Sequence, residues 1–300
     1  MDVQTYNSAM LGARSLLAVL LPAVSCAQAP PDAAEQARVL AELRSYAEAY
    51  TNNLPNFICI QVTRREVVQA PNTEIGGVRE SAPGRGNLGL ANVRERKSTD
   101  TFEEQLAFFG HQESYQLLKV NGKKQKPGES RPPGMTSTGE FGTTLRAVFD
   151  PQSEAEFEWK KWDTLRAQQV SVFAFHVEQQ NSQAQMEVPS RRVVVGYRGL
   201  VYASREGNVV LRLTTEAVPP KDFPLQDVTH LLDYGPVEIA GQHFILPLHA
   251  EMQTRMSEDF MKYGRESGNS RQVFLRNQVD FREHRKYTAE SVLKAEPDKP

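Results

Sequence analysis

The chain has 300 residues, 39% hydrophobic and 24% charged, which is ordinary globular usage and excludes disorder of the whole. Its 35 basic and 37 acidic residues leave a formal net charge of −2. That balance lacks the basic excess that neutralises phosphates, so nucleic-acid binding is set aside.

The first elements read as an export signal. Arg14 precedes the apolar run Ser15–Val24, and small residues follow. The run is about ten residues, far below the ~20 that span a bilayer as a helix. Asp2 sits where such signals favour positive charge, so Met10 makes a better start than Met1. Two cuts compete. Cleavage after Ala27 makes residues 1–27 a signal peptide and releases 28–300 as a periplasmic or secreted domain. Cleavage before Cys26 would leave a lipid-anchored form, but Ala23 stands where a lipobox wants Leu. No other segment of the chain is a transmembrane helix candidate. Cys59 lies within the apolar run Phe57–Val62 and reads as a small core residue.

Asp32 and Glu35 have capping-box spacing, and Val39, Leu40, Leu43, Tyr46, Ala47 and Tyr50 recur with helical period, so a helix is predicted up to Asn52. The period then changes to two over Phe57–Val68, a strand. Residues 71–97 and 121–138 are rich in Gly, Pro and charge and read as mobile loops. Within the first, Gly84–Gly89 matches GxGxxG by letter but lacks the preceding strand and following helix of a dinucleotide site. Thr101–Phe109 and Tyr115–Val120 read as a hairpin, and Gly139–Phe149 as a short second helix ended by Asp150-Pro151.

From Glu154 onward Glu154, Glu156 and Glu158 alternate with Ala155, Phe157 and Trp159, which places the carboxylates in water and the aromatics inward. Val170–Val177 and Arg192–Val195 are almost wholly apolar, as expected of strands covered on both sides or lining a cavity. Two more hairpins are predicted, Leu200–Ser204 with Val209–Thr215, and Val228–Ile239 with His243–Met256, turning at Ala240-Gly241. A last strand carries Val273, Leu275, Val279 and Phe281 on one face, and the tail from Leu293 is loose. The inventory is about ten strands following one another as hairpins, with an N-terminal helix and a short second one. That is a single α+β domain over 28–300, a mostly antiparallel curved sheet that curls into an open half-barrel.

Catalytic and metal signatures are absent: there is no HExxH, CxxC, GxSxG or Walker loop, and Gly264–Gly268 is only a near miss. No cofactor and no metal is implied. The glutamates at 154–158 could serve a glycosidase, but their alternation already accounts for them as one solvated face.

The run Leu232–Pro247, with Asp233, Tyr234, Gly241, Leu246 and Pro247, then Asn277 and Phe281, resembles the outer-membrane lipoprotein-sorting superfamily of LolA-like and LppX-like carriers and envelope-stress sensors. The hairpin Gly199–Leu211 is similar to the segment ahead of that motif. The resemblance covers roughly residues 33–290 and departs in the loops 71–97 and 121–138. It implies an open half-barrel with a helical lid and, in several members, acyl chains in the concave cavity. The expected function is an exported, non-enzymatic carrier of lipid or acylated protein. Its ligand-binding residues would be Phe157, Trp159, Phe173, Phe175, Leu211, Leu213, Leu246, Leu248, Val273 and Leu275. The alternative is an interaction or sensor module of the same fold, engaging another envelope protein, for instance through the basic loop Lys123–Arg131. A hydrolase with dispersed catalytic residues is a third reading.

Overall fold

The computed structural model describes residues 29–69, 97–129, 131, 139–188, 191–264 and 270–288. The export signal, the Gly84–Gly89 run, most of Gly264–Gly268 and the tail from Leu293 lie outside the described residues.

Asp32 caps α1 (Ala33–Tyr50): its carboxylate accepts the Glu35 backbone N–H at 2.8 Å. Val39, Leu43, Ala47 and Tyr50 form its buried stripe, while Arg38 pairs with Glu35 and Glu42 on the wet side. A 3-10 turn at Thr51–Asn53 and the Leu54-Pro55 step lead into β1 (Phe57–Gln69). Then come β2 (Lys97–Phe109), β3 (Gln112–Val120), the two-residue β4 (Lys123–Lys124) and α2 (Thr143–Phe149). Next are β5 (Glu156–Leu165), β6 (Gln168–Val177), β7 (Gln185–Val188), β8 (Arg191–Val194), β9 (Gly196–Ser204) and β10 (Val210–Val218). The chain closes with β11 (Gln226–Ile239), β12 (Gln242–Ser257), α3 (Glu258–Tyr263) and β13 (Gln272–Lys286).

Eleven strands form one sheet in the order β4-β3-β2-β1-β13-β12-β11-β10-β9-β6-β5, with every described pair antiparallel. The sheet is open, its edges being β4 and β5, so the α+β curved-sheet expectation holds. The order is not a pure meander, because β13 inserts between β1 and β12 and ties the two halves of the chain together. Arg192–Val195 departs from the expected twice-covered strand. Its first three residues belong to β8, which pairs with β7 in a separate ribbon; Val194 is exposed, and Val195, just past the strand, is buried. A four-residue apolar run carries no register information that would say which sheet it joins.

Side chains alternate between two faces of very different character. On one, Phe102, Thr63, Val279, Ala250, Leu232, Leu213, Val201, Phe173 and Trp159 stand opposite one another across nine consecutive strands. α1 and α2 cover this row from Val279 to Trp159, and the main core lies between. Gly199 sits in the neighbouring row beneath the Phe175 ring. A Cβ there would lie 1.8 Å from the Thr214 carbonyl and 2.8 Å from Phe175 Cζ, so no other residue fits. Farther along the same face, α3 and the β7–β8 ribbon cover a second cluster built on Phe223, Met256, Phe260, Val273 and Leu275.

Candidate functional site

The helix-covered chamber is aromatic. Phe57 lies 5.4 Å from Phe108 and 5.2 Å from Phe141, which in turn packs 5.0 Å from Phe281. Toward β5, Phe149 stacks on Phe157 at 5.2 Å, and Trp159 meets Phe173 edge-on at 5.3 Å. The two covering helices abut at Gly142 (φ +122), where a Cβ would come within 2.5 Å of Thr51 Oγ1 and 3.0 Å of the Tyr50 ring. They therefore form one cover.

Side-chain to backbone hydrogen bonds at three places fasten that cover to the sheet. Tyr50 Oη donates to the Ile245 carbonyl at 2.8 Å, and Tyr197 Oη to the Ala147 carbonyl at 3.1 Å. The Glu113 carboxylate accepts the backbone N–H of Gly139 at 3.0 Å and of Phe141 at 3.1 Å, together with the Tyr115 hydroxyl. The hydroxyls of Tyr46 and Tyr234 are buried beneath the cover without a hydrogen-bond partner. Burial lifts the Tyr50 and Tyr234 hydroxyls well above the ordinary phenol range. Cys59 is buried in the same core, and burial pushes its thiol up to about 12, far from the thiolate a nucleophile needs.

Beyond α2 the covered face turns polar. Gln61, Thr63, Glu104 and Asn277 are buried there, and Arg131 grips Glu104 with two of its nitrogens. The Phe102 ring has the Arg65 guanidinium at 4.8 Å and that of Arg131 at 5.7 Å. Burial holds Arg131 down to about 10.

Of the ten residues expected to line a ligand site, Phe157, Trp159, Phe173, Phe175, Leu213 and Leu246 are brought together in this chamber. Val273 and Leu275 sit in the second cluster under α3. Leu211 and Leu248 fall at register shifts, between Val210 and Arg212 and opposite the Asp233–Tyr234 step. The first bulge turns Leu211 to the opposite face, where it packs with Leu165, Val170 and Val172. Leu248 lies against Gly235, where a Cβ would be 2.5 Å from its Cδ1.

The motif residues have physical roles. Tyr234 and Leu246 are fully buried in the chamber, and Phe281 packs on Phe141. Ala240 (φ 52) and Gly241 (φ 79) make the β11–β12 turn. Asp233 faces the other way and takes both Arg212 nitrogens at 2.6 and 2.8 Å.

The opposite face, which no helix among the described residues covers, was not singled out by sequence as a site, yet it holds a groove of about 740 Å³. The β5–β6 hairpin curls over this face: Arg166, at its turn, reaches the carbonyls of Leu211 and Tyr234 and lies 3.7 Å from Asp233. The groove floor carries Ala174, Leu200, Thr214 and Leu231 in one cross-strand row, ending in Glu158 and Glu251. The next row holds Glu156, His176, Arg198, Glu216, Thr229 and Gln253. Arg198 and Glu216 form a bidentate pair at 3.1 and 2.6 Å, and Glu158 pairs with Lys160 at 2.7 Å. Glu251 accepts from Arg276, Gln253 and Gln278, and these bonds hold its carboxyl below the usual range against the opposing effect of burial.

Among the described residues, no three His, Cys, Asp or Glu side chains gather in a way that could hold a metal ion, and no helix is long and apolar enough to cross a membrane.

No family model and no curated protein matches the chain. Solved structures do. A DUF1329 family protein from Desulfovibrio piger is 10% identical, with a TM-score of 0.38 over 86% of this chain and 96% of that one. A LolA superfamily protein from Nitrosomonas europaea is 9% identical, with a TM-score of 0.33 over 85% and 96%. An outer membrane lipoprotein-sorting protein domain from Vibrio parahaemolyticus is 12% identical, with a TM-score of 0.34 over 84% and 97%.

Proposed function

We propose that this is an exported, non-enzymatic binding protein that takes an apolar chain, from a lipid or an acylated protein, between the α1–α2 cover and the sheet. The observation that supports it is the aromatic layer running from Phe57 to Trp159 beneath a single helix pair. Apolar ligands need apolar surface, and the residues beneath the cover supply it. Side chains fill the chamber, so a ligand would enter as the cover is displaced. The cover is fastened at three polar points and by the four buried side chains of α1. Phe157 and Trp159, half-buried on the edge strand β5, would form the rim, with Phe173, Phe175, Leu213 and Leu246 deeper.

The test is saturable uptake of a fluorescent fatty-acid probe, with lipid extraction of the purified protein. The expected results are one probe per chain, displacement by unlabelled lipid, and weaker uptake by Phe157→Glu, with circular dichroism checking that the variant stays folded. Protein that carries no lipid and takes up no probe overturns the reading.

A further inference from the structure

The helix-free groove calls for a different occupant from the chamber. Its walls are contributed by six neighbouring strands, β5, β6, β9, β10, β11 and β12, so it runs across the sheet. Five inter-strand steps of ~4.8 Å give a length of ~24 Å, which an extended segment of about seven residues spans. The floor is apolar at its centre, where Leu200 and Leu231 face the groove. The rim is acidic. Glu156, Glu158, Glu216 and Glu251 stand against one arginine, Arg198, and the outer partners Lys160, Arg276 and Glu178 still leave a net −2. Arg166, at the β5–β6 turn, ties that hairpin to β10 and β11 along one flank of the groove, so the concavity is part of the fold.

We propose that this groove docks an extended peptide segment in which basic residues alternate with apolar ones. Its apolar side chains would rest on Leu200 and Leu231. Its cations would meet Glu156 and Glu158 at the β5 end and Glu216 and Glu251 toward β12. Alternation suits the site because the two cross-strand rows, one apolar at its centre and one charged, lie side by side along the groove. The two faces then divide the work: an apolar ligand on the covered face and a protein partner on the free one. The groove proposal does not depend on the chamber taking a lipid.

The experiment measures fluorescence anisotropy of two labelled heptapeptides, one alternating Lys with Leu and one alternating Glu with Leu, against the full-length protein. The expected result is saturable binding of the basic peptide at least about tenfold tighter than the acidic one, weakening as salt screens the rim. Glu156→Lys with Glu158→Lys should cost about tenfold in affinity, while Glu35→Lys on the exposed side of α1 should change nothing. Both groove carboxylates are exposed, and among the described residues Glu156 makes no ion pair, so thermal melting should be unchanged and separates folding from docking. Equal affinity for the two peptides, or an undiminished affinity in the double variant, overturns the proposal. So does binding of the doubly reversed protein and the native one alike to anionic lipid vesicles in place of peptide.

Discussion

The two faces of the sheet come from the same strands and differ by one residue of register, yet they are stabilised by different physics. On the covered face Phe57, Leu106, Leu213, Leu232 and Leu246 are sealed under α1 and α2, and burial of apolar area carries the energy. On the free face the same strands present Arg198 to Glu216 and Arg276 to Glu251, exposed or half-exposed pairs of small individual worth. Where the β5–β6 hairpin curls over the free face, Val170, Val172 and Leu211 become buried there as well. The difference teaches that alternation alone does not decide burial; coverage does, and on each face something specific supplies it.

The largest expected effect tests the covered face. Leu43→Ala on α1 and Phe57→Ala on β1 remove fully buried side chains, so each should lower unfolding free energy by about 3–4 kcal/mol in urea titrations. Leu231→Ala, half-exposed in the groove, should cost about 1 kcal/mol or less. Equal losses would mean that the two faces are not energetically distinct.

Next in size is a pH effect. Burial lowers His230 and His284 from their ordinary 6.5 to about 4, and the Nε2 of each is buried without a partner. Below pH 6.5 the unfolded chain takes up protons that the folded rings refuse until about 4. Stability is therefore present above 6.5 and lost as pH falls through that window, by about 3 kcal/mol for His230. His230→Gln should roughly halve the dependence, leaving that of His284; an unchanged slope would show that the ring is solvated when folded.

Much of this architecture was legible in the sequence. The Asp32 cap, the α1 stripe, the period-two strands and the Ala240-Gly241 turn are local signals, and each is where its residues place it. What was not legible is non-local. Nothing local in Val273–Phe281 says that β13 pairs with β1 across the length of the chain. Parity put Leu211 with Leu213, but a bulge, which leaves no sequence mark there, turned it to the other face. The glutamates of β5 were correctly placed in water, as Glu156 and Glu158 are exposed. That they edge a groove is non-local, because its lining comes from six strands, and the β5–β6 turn is tied to β11 by Arg166, a contact 68 residues apart in sequence.

Glu113 gives a smaller effect than either and probes the cover itself. Its carboxylate serves two backbone N–H groups and the Tyr115 hydroxyl just ahead of α2. Glu113→Ala should cost about 1–2 kcal/mol and speed amide exchange across Phe141–Phe149, whereas exchange in β6 and β9 stays slow. Exchange that rises equally in both places would mean that the cover does not open separately from the sheet.

The smallest effect belongs to the groove rim. Glu158 pairs with Lys160 at 2.7 Å, but its side chain is 72% exposed, so solvent screens the pair and holding two long side chains together costs entropy. Glu158→Ala should therefore change unfolding free energy by no more than about 0.5 kcal/mol at any salt concentration. A larger loss would place the rim among the elements that hold the fold. A null result, beside several kcal/mol for Leu43→Ala, leaves the carboxylates of the free face with surface roles and places the stability of the sheet in its buried apolar clusters.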